Sequence, residues 1–153
     1  MTAPCLPAVP GTYILVLEAA RPATIAVGRL GTLAVERGWY LYTGSALGAG
    51  GLAGRLRHHL RPVVRPHWHI DYLRPVTTVR AIWYTAHGER WEHRWASLLA
   101  CMATPVPCAG FGASDCACTV HCFCGPAAPA FDAFVALARA TYLEHPPICS
   151  CAA

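Results

Sequence analysis

The sequence predicts an α+β fold in which a small antiparallel sheet, with an extra hairpin, is flanked by helices. The first half of the chain contains apolar runs rich in β-branched and aromatic residues and separated by glycine and proline, a pattern typical of strands. Later segments repeat leucine and tryptophan every three or four residues, which is the spacing of one helix face. The chain has 153 residues, 55% of them apolar and 13% charged, so the composition indicates one folded domain and excludes a disordered protein.

Four segments predict strands. Residues 11–17 read GTYILVL after a proline and predict a buried strand. Residues 24–28 give a second, shorter signal, and a third apolar stretch follows Gly31 and ends in WYLYTG at residues 39–44. Because these segments follow one another closely, they predict an antiparallel meander. Residues 76–85 predict one further strand.

Three segments predict helices. Leucines at positions 52, 56 and 60 recur every four residues after a glycine-rich turn at residues 48–51. Residues 90–102 place two tryptophans, a leucine and a methionine on one face, and residues 131–142 form a last amphipathic segment. We therefore expect helices at these three places.

The predicted domain organisation follows from a change in amino-acid composition after Pro105. Residues 107–126 are rich in proline, glycine and cysteine and have no periodicity, so we expect a loop or a small lobe organised by metal. The predicted division is an N-terminal extension over residues 1–10, a domain over residues 11–126 that includes a cysteine-rich segment at 108–126, and a C-terminal helix and cysteine-containing tail over residues 127–153 packed on the same domain.

The basic residues are concentrated in one segment. The formal net charge is +4, all twelve basic residues are arginine, and lysine, asparagine and glutamine do not occur in the sequence. Residues 55–80 hold six arginines, four histidines and one acid, Asp71. A solvated basic face is one interpretation. The other is a surface for a phosphate backbone, because arginine and histidine on a helix that begins at a glycine-rich turn suit a phosphodiester.

The apolar runs predict no membrane segment. The longest uncharged stretch, residues 95–114, is interrupted by prolines and glycines, and the N-terminus lacks the basic and then apolar pattern of a signal peptide. We expect a cytoplasmic protein without membrane contact. In a reducing compartment its nine cysteines are expected to be thiols or metal ligands rather than disulfides.

The order of several short motifs is specific. Gly11-Thr12-Tyr13, then Tyr42-Thr43-Gly44, then Arg55 on a helix resembles the GIY-YIG nuclease superfamily. Further stretches are similar to a stand-alone bacterial and archaeal branch of it with an HWHID motif and an SDCxC motif. These stretches are Tyr42 to Gly48, Gly50-Gly51-Leu52, Arg55, His59, His67 to Leu73 and Phe111 to Cys116.

This resemblance implies a three-stranded antiparallel sheet between helices and cleavage of nucleic acid, expected to be DNA, with one divalent metal, Mg²⁺ or Mn²⁺. It places the catalytic positions of the superfamily on Tyr13, Tyr42, Arg55, His59 and the metal-binding Glu92. Glu89, three residues before Glu92, is the competing match. Superfamily members often carry an asparagine after the glutamate; here Ser114 or Asp115 substitutes for it, or the position is dispensable.

Phosphodiester hydrolysis gives each of these side chains a chemical task. One carboxylate, Glu92, suffices for Mg²⁺, which keeps several waters and takes other oxygens from the substrate phosphate. The fork-shaped Arg55 would clamp the scissile phosphate. Tyr13 is the favoured group for activating water, supported by Tyr42 and His59.

Further residues are expected to bind substrate. His67 and His69 alternate, so on a strand they would share one face. Asp71 is expected to cap or to pair with an arginine rather than to bind the catalytic metal. The predicted substrate-binding residues are Gly44, Ser45, Arg57, His58, Arg61, His67 and His69.

The cysteine-rich segment allows three interpretations. Cys116, Cys118 and His121 could hold a structural Zn²⁺, with Cys149 and Cys151 as completing ligands. Reduced buried cysteines and redox sensing are the other two.

The favoured function is that of a metal-dependent endonuclease acting on DNA, including structured or damaged DNA in repair or recombination. One alternative is a nucleic-acid-binding module that has lost catalysis. The other is a zinc-organised interaction protein.

Overall fold

A computed structural model describes residues 5–113 and 116–153 of this chain. Within these ranges the protein has an α+β fold of eight strands and four helices. In chain order these are β1 (Gly11–Ala19), β2 (Ala23–Ala26), β3 (Thr32–Val35), β4 (Gly38–Ala46), α1 (Gly51–Leu60), α2 (His69–Leu73), β5 (Thr78–Thr85), α3 (Glu92–Met102), β6 (Thr104–Pro105), β7 (Cys122–Gly125), α4 (Phe131–Thr141) and β8 (Cys149–Ala152).

Six strands form one antiparallel sheet in the order β6-β7-β4-β1-β5-β8, and β2 and β3 form a separate hairpin. The sheet is therefore larger than the expected three strands, although β4, β1 and β5 are its centre. The additional strands have only two to four residues and lie in segments rich in proline, glycine and cysteine. Strands of two to four residues are too short to show an alternating apolar pattern. Their formation depends on hydrogen bonds to neighbours that are distant in sequence. The loop predicted over residues 107–126 accordingly contains β7.

The central strand β1 is buried along almost its whole length, which explains its continuous apolar run. Its register with β4 pairs Tyr13 with Gly44 and Leu15 with Tyr42. Residues that face each other in an antiparallel pair share one side of the sheet. Tyr13 and Tyr42 are therefore diagonal neighbours on the same side.

Three helices supply the apolar faces that cover the sheet, close to the predicted bounds. Leu52 and Leu56 of α1 are fully buried. Helix α3 buries Trp95, whose ring meets Phe134 of α4 edge to face at a centroid distance of 5.2 Å. Strand β8, which follows α4, pairs with β5 and so ties the C-terminal segment to the central sheet.

The N-terminus of α1 is bonded to the segment that precedes β1. The backbone N–H groups of Leu52 and Ala53 donate to the carbonyl oxygens of Val9 and Pro7, and that of Gly51 donates to Gly48. These are the first donors of the helix, which have no intrahelical partner. The first backbone donors of this helix are therefore occupied within the protein, which leaves the arginine and histidine side chains as the groups of this surface that could contact a phosphate backbone.

Residues 67–73 do not form the strand on which the two histidines were expected to alternate. His69 begins the short helix α2, and Asp71 accepts hydrogen bonds from the backbone N–H groups of His67 and Trp68, at 2.8 and 3.0 Å. The buried Asp71 also lies 3.3 Å from Nε2 of His58. Asp71 thus caps as expected, and the side chain that lies against its carboxylate is that of His58 and not of an arginine.

Among the residues that the structure describes, none of the helices has the length and apolarity needed to cross a membrane.

Candidate functional site

A polar cleft of about 260 Å³ lies where the ends of β1 and β4 meet α1, α2 and the start of α3. Its floor is the sheet face that carries the two diagonal tyrosines. The residues lining it are Tyr13, Tyr42, Gly44, Ser45, Leu47, Gly48, Arg55, His67, Trp68, His69, Arg90, Glu92 and Gly112. The cleft therefore brings together most of the predicted site residues from segments up to about eighty positions apart.

The two tyrosines form the base of the cleft and are largely covered. Tyr13 is 1% exposed and Tyr42 is 7% exposed. Burial raises the pKa of both phenols above their usual value of 10.0, and each tyrosine is near the other or near Glu92, which adds to the shift. Both are therefore neutral hydroxyls near pH 7.

Gly44 makes room for the Tyr13 hydroxyl. A Cβ atom at Gly44 would lie 2.5 Å from the Oη atom of Tyr13. The glycine of the second motif is thus required by packing, because any side chain there would occupy the place of the phenol oxygen.

His59 lies behind Tyr13 instead of lining the cleft. Its Nε2 atom is 2.7 Å from Oη of Tyr13, and its ring is fully buried. Burial lowers the pKa of His59 from 6.5 to about 3, so the imidazole is neutral at ordinary pH. Within the described ranges its Nδ1 atom has no hydrogen-bond partner.

Arg55 projects from α1 into the cleft, one helical turn before His59. Its guanidinium carbon lies 4.2 Å from the ring centroid of Trp68. This stacking orients the planar group, and its edge N–H donors have no hydrogen-bond partner among the described residues. The capped segment around Asp71 holds Trp68 in turn.

Glu92 is the first residue of α3, where the helix dipole favours a negative charge. The preceding Trp91 is tied to β1, because its N–H donates to Oγ1 of Thr12 at 3.1 Å. Ser45 donates to one carboxylate oxygen of Glu92 at 2.7 Å, and Nδ1 of His121 lies 3.2 Å from the other. Partial burial opposes ionisation, but these contacts outweigh it and lower the pKa of Glu92.

Glu92 and Glu89 were the two candidates for the metal-binding position, and they lie in different environments. Glu92 lines the cleft, whereas Glu89 is exposed and pairs with Arg94 at 2.7 Å. Glu92 is the one carboxylate among the described residues that line the cleft. Its role as a metal ligand stays a prediction.

Both histidines of the HWHID motif reach the cleft even though they do not lie on a strand. His69 accepts a hydrogen bond at Nδ1 from the backbone N–H of Gly112, at 2.9 Å. Gly112 has a φ of +72°, and a Cβ there would lie 2.8 Å from the Tyr42 ring. The first part of the cysteine-rich segment, at Gly112, therefore packs tightly against one wall of the cleft.

Three predicted substrate-binding residues do not line the cleft. Arg57, His58 and Arg61 are exposed on the outer side of α1 and just after it. They could contact only a ligand that extends beyond the cleft. Five lining residues were not predicted as site residues: Leu47, Gly48, Trp68, Arg90 and Gly112. The position of Arg90 two residues before Glu92 was a signal for it, and Trp68 lay inside a motif already noted.

A second cluster lies on the other side of Glu92. Sγ of Cys116 is 3.3 Å from Nε2 of His121, and Sγ of Cys118 is 3.4 Å from Nδ1 of His93. These four ligand atoms all lie within 4.8 Å of one another. Three of these residues are predicted from the sequence, whereas His93 is not, because it is distant in the chain and has no motif around it.

Cys149 and Cys151 cannot complete this cluster. They lie on β8, which forms one edge of the sheet. His121 of the cluster directly precedes β7, which lies next to the other edge. All nine cysteines are free, and Cys122 is buried on β7. Ser114 and Asp115, the expected substitutes for the missing asparagine, lie outside the described residues.

The fold and the cleft define an α+β protein with a polar, arginine-lined and glutamate-lined site on its central strands. Residues 12–142 match the family described as Domain of unknown function DUF123, and the chain belongs to that family. No curated protein and no solved structure matches the chain.

Proposed function

We propose that this protein is a divalent-metal-dependent endonuclease of the GIY-YIG type that hydrolyses phosphodiester bonds in DNA. The observation that carries the proposal is the cleft lined by Tyr13, Tyr42, Arg55 and Glu92. The motif order of the sequence predicts these four residues together with His59, which lies behind Tyr13. Phosphodiester hydrolysis needs a group that activates water, a cation on the phosphoryl oxygens and a metal-binding carboxylate, and the set contains each of them.

Glu92 fits a hard divalent cation such as Mg²⁺ or Mn²⁺. Its carboxylate has a lowered pKa, is 13% exposed and faces a polar cleft with space for waters and a phosphate. Mg²⁺ in proteins commonly takes one or two carboxylates, keeps waters and binds substrate phosphate oxygens. When bound at Glu92, such an ion would neutralise charge on the phosphate and stabilise the leaving oxygen.

Tyr13 and His59 can transfer a proton as a pair. A phenol with a raised pKa is not itself a strong base at neutral pH, but Tyr13 can accept a proton from water while it passes its own to Nε2 of His59, 2.7 Å away. The neutral imidazole leaves that nitrogen able to accept. A phosphate anion in the cleft favours the cationic form of His59 and so assists the transfer.

Arg55 is the phosphate clamp in this proposal. Stacking on Trp68 orients its guanidinium, and Arg90 supplies a second cation beside Glu92. Cations held in position before the reaction stabilise charge as it develops, without reorganisation in the transition state.

A duplex longer than the cleft would extend across the exposed Arg57 and Arg61 on the outer side of α1. Arginine contacts of this kind position the phosphate backbone and carry no base specificity. We accordingly propose recognition of DNA by structure, such as branches, nicks or damage, and a role in repair or recombination.

The decisive experiment measures cleavage of labelled linear, nicked, flapped and four-way-branched DNA, and of RNA, with Mg²⁺ or Mn²⁺. Wild type is compared with Glu92→Ala and with Glu89→Ala, a matched control three residues earlier and outside the cleft. Circular dichroism shows that each protein is folded. We expect metal-dependent products from wild type and Glu89→Ala, and a loss of at least about 10²-fold in Glu92→Ala.

Equal activity in Glu92→Ala would remove the assignment. If no substrate is cut but binding persists and weakens steeply with salt, the protein is the catalytically silent nucleic-acid-binding module instead. If neither cleavage nor binding occurs, the zinc-organised interaction protein becomes the best remaining interpretation.

A further inference from the structure

The cluster of His93, Cys116, Cys118 and His121 joins three separate parts of the chain. His93 is the second residue of α3, the two cysteines lie in the cysteine-rich segment, and His121 directly precedes β7. Each thiol lies against a ring nitrogen, and the four ligand atoms form one compact group.

Two sulfur–nitrogen distances within the cluster match those of neighbouring ligands on one ion. In a tetrahedral zinc site, Zn–S bonds of about 2.3 Å and Zn–N bonds of about 2.0 Å place neighbouring sulfur and nitrogen atoms about 3.5 Å apart. The two observed sulfur–nitrogen distances are 3.3 and 3.4 Å. A donor set of two sulfurs and two imidazole nitrogens selects zinc over magnesium or calcium, which prefer oxygen.

Thiol–imidazole hydrogen bonds alone would be a weak cross-link here. A thiol is a poor hydrogen-bond donor. The segment that carries Cys116 and Cys118 has no regular apolar pattern with which to hold its conformation. A bound metal would fix it to α3 and to the start of β7 at once.

The remaining nitrogen of His121 connects the cluster to the cleft. If Nε2 binds a metal, the ring proton must be on Nδ1. That atom is buried, its ring is 1% exposed, and Oε1 of Glu92 lies 3.2 Å from it. The pair is a close contact and not a full hydrogen bond, since Nδ1 has no hydrogen-bond partner among the described residues. A carboxylate beside the outer nitrogen of a metal-bound histidine is the usual second partner of such a ligand.

We propose that this protein binds one structural Zn²⁺ ion through a closed set of four ligands, Cys116 Sγ, Cys118 Sγ, His121 Nε2 and His93 Nδ1. Through Nδ1 of His121 the ion orients the Glu92 carboxylate in the cleft. His93 and His121 are positioning residues in this arrangement. The orienting effect rests on the proposed nuclease function, whereas the zinc site itself does not.

The zinc site is tested by metal content and by Co²⁺ substitution of the purified full chain. We expect about one zinc per wild-type chain and, after exchange, the absorption bands of tetrahedral Co²⁺ with thiolate ligands. His93→Ala and Cys118→Ser should lose the ion, and His93→Cys should keep it by supplying a thiolate. The matched controls His87→Ala and Cys101→Ser, both exposed and outside the cluster, should bind as wild type does.

The absence of zinc in wild type would overturn the site. Unchanged zinc content in His93→Ala would overturn the four-ligand set. If Cys118→Ser unfolds, His93→Ala and His93→Cys still decide the question, because these two variants differ only in their ability to bind metal.

The orienting effect is tested by cleavage kinetics at saturating Mg²⁺. We expect His93→Ala to lower kcat by about 10-fold or more with little change in KM, since it shifts the carboxylate and not the DNA surface, and His93→Cys to restore kcat. Unchanged kcat in zinc-free His93→Ala would overturn the effect and leave the zinc site in place. If no variant or wild type cleaves DNA while zinc content follows the expected pattern, the nuclease proposal fails and the zinc site stands.

Discussion

The hydroxyl oxygen of Tyr13 lies 2.7 Å from Nε2 of His59, which is 46 positions later in the chain. Both side chains are almost completely buried. The proposed function uses this buried tyrosine and the buried, neutral histidine bonded to it for proton transfer at the base of the polar cleft.

Removal of the Tyr13 hydroxyl should therefore impair catalysis and not folding. We expect Tyr13→Phe to reduce kcat for DNA cleavage by about 10²- to 10⁴-fold, because it removes the group that accepts the proton of the attacking water in the proposed mechanism. Tyr40→Phe is the matched control, since Tyr40 is equally buried on β4 but bonds to the backbone of Glu36, away from the cleft. Equal losses in the two variants would contradict the role of Tyr13.

A methyl group at Gly44 should displace the same hydroxyl. Because the added Cβ would lie 2.5 Å from Oη of Tyr13, Gly44→Ala is expected to cost about 1–3 kcal/mol of stability and about 10²-fold in cleavage. Gly125→Ala, on strand β7 with open space around its Cβ position, should behave as wild type. Urea unfolding and single-turnover cleavage measure the two effects; an active, stable Gly44→Ala protein would be inconsistent with the packing described.

The stability of the protein should depend on pH through His59. The pKa of His59 is about 3 in the folded protein and 6.5 without burial. Between these two pH values the imidazole is therefore protonated in the unfolded chain and neutral in the folded protein. The contribution of neutral His59 is complete above about pH 6.5 and decreases as the pH falls toward 3, by up to about 1.4 kcal/mol per pH unit. The ionisable groups that act on His59, namely Asp71, His58, Arg55 and Arg74, are present in wild type and variant alike.

Urea unfolding of wild type and His59→Gln between pH 7.5 and 4.5 isolates this contribution. We expect the free energy of unfolding of wild type to decrease by about 2 kcal/mol more than that of the variant over this range. Parallel curves for the two proteins would show that His59 is not a buried neutral base.

The exposed arginines of α1 should affect binding and leave the chemical step unchanged. Arg57→Ala and Arg61→Ala are each expected to reduce the slope of log Kd against log salt by about 1, because each removes one phosphate contact, and to leave kcat unchanged. Arg37→Ala, exposed at the far end of β4, is the control. Filter binding across a salt series measures the slope; unchanged slopes in both variants would place the DNA elsewhere.

The sequence predicts those residues of the site that belong to recognisable motifs. Tyr13 and Tyr42 lie on two strands whose apolar runs were evident, and Arg55 lies on a helix whose leucine spacing was evident. Strand alternation and helical periodicity fix the side of the element on which such a residue lies. His93 was missed for the opposite reason: it lies beside the cysteines only because α3 packs there.

Local pattern alone determined the α+β class, the central strands β1, β4 and β5, and the helices α1, α3 and α4, because each element buries an apolar face long enough to show its period. Only the tertiary structure decided the outer strands β6, β7 and β8, the helical form of residues 69–73, and the bonding of the α1 N-terminus to Pro7 and Val9. Each of these depends on hydrogen bonds to partners that are distant in sequence or on capping by one side chain. Pairings of that kind leave no periodic signal in the segment itself.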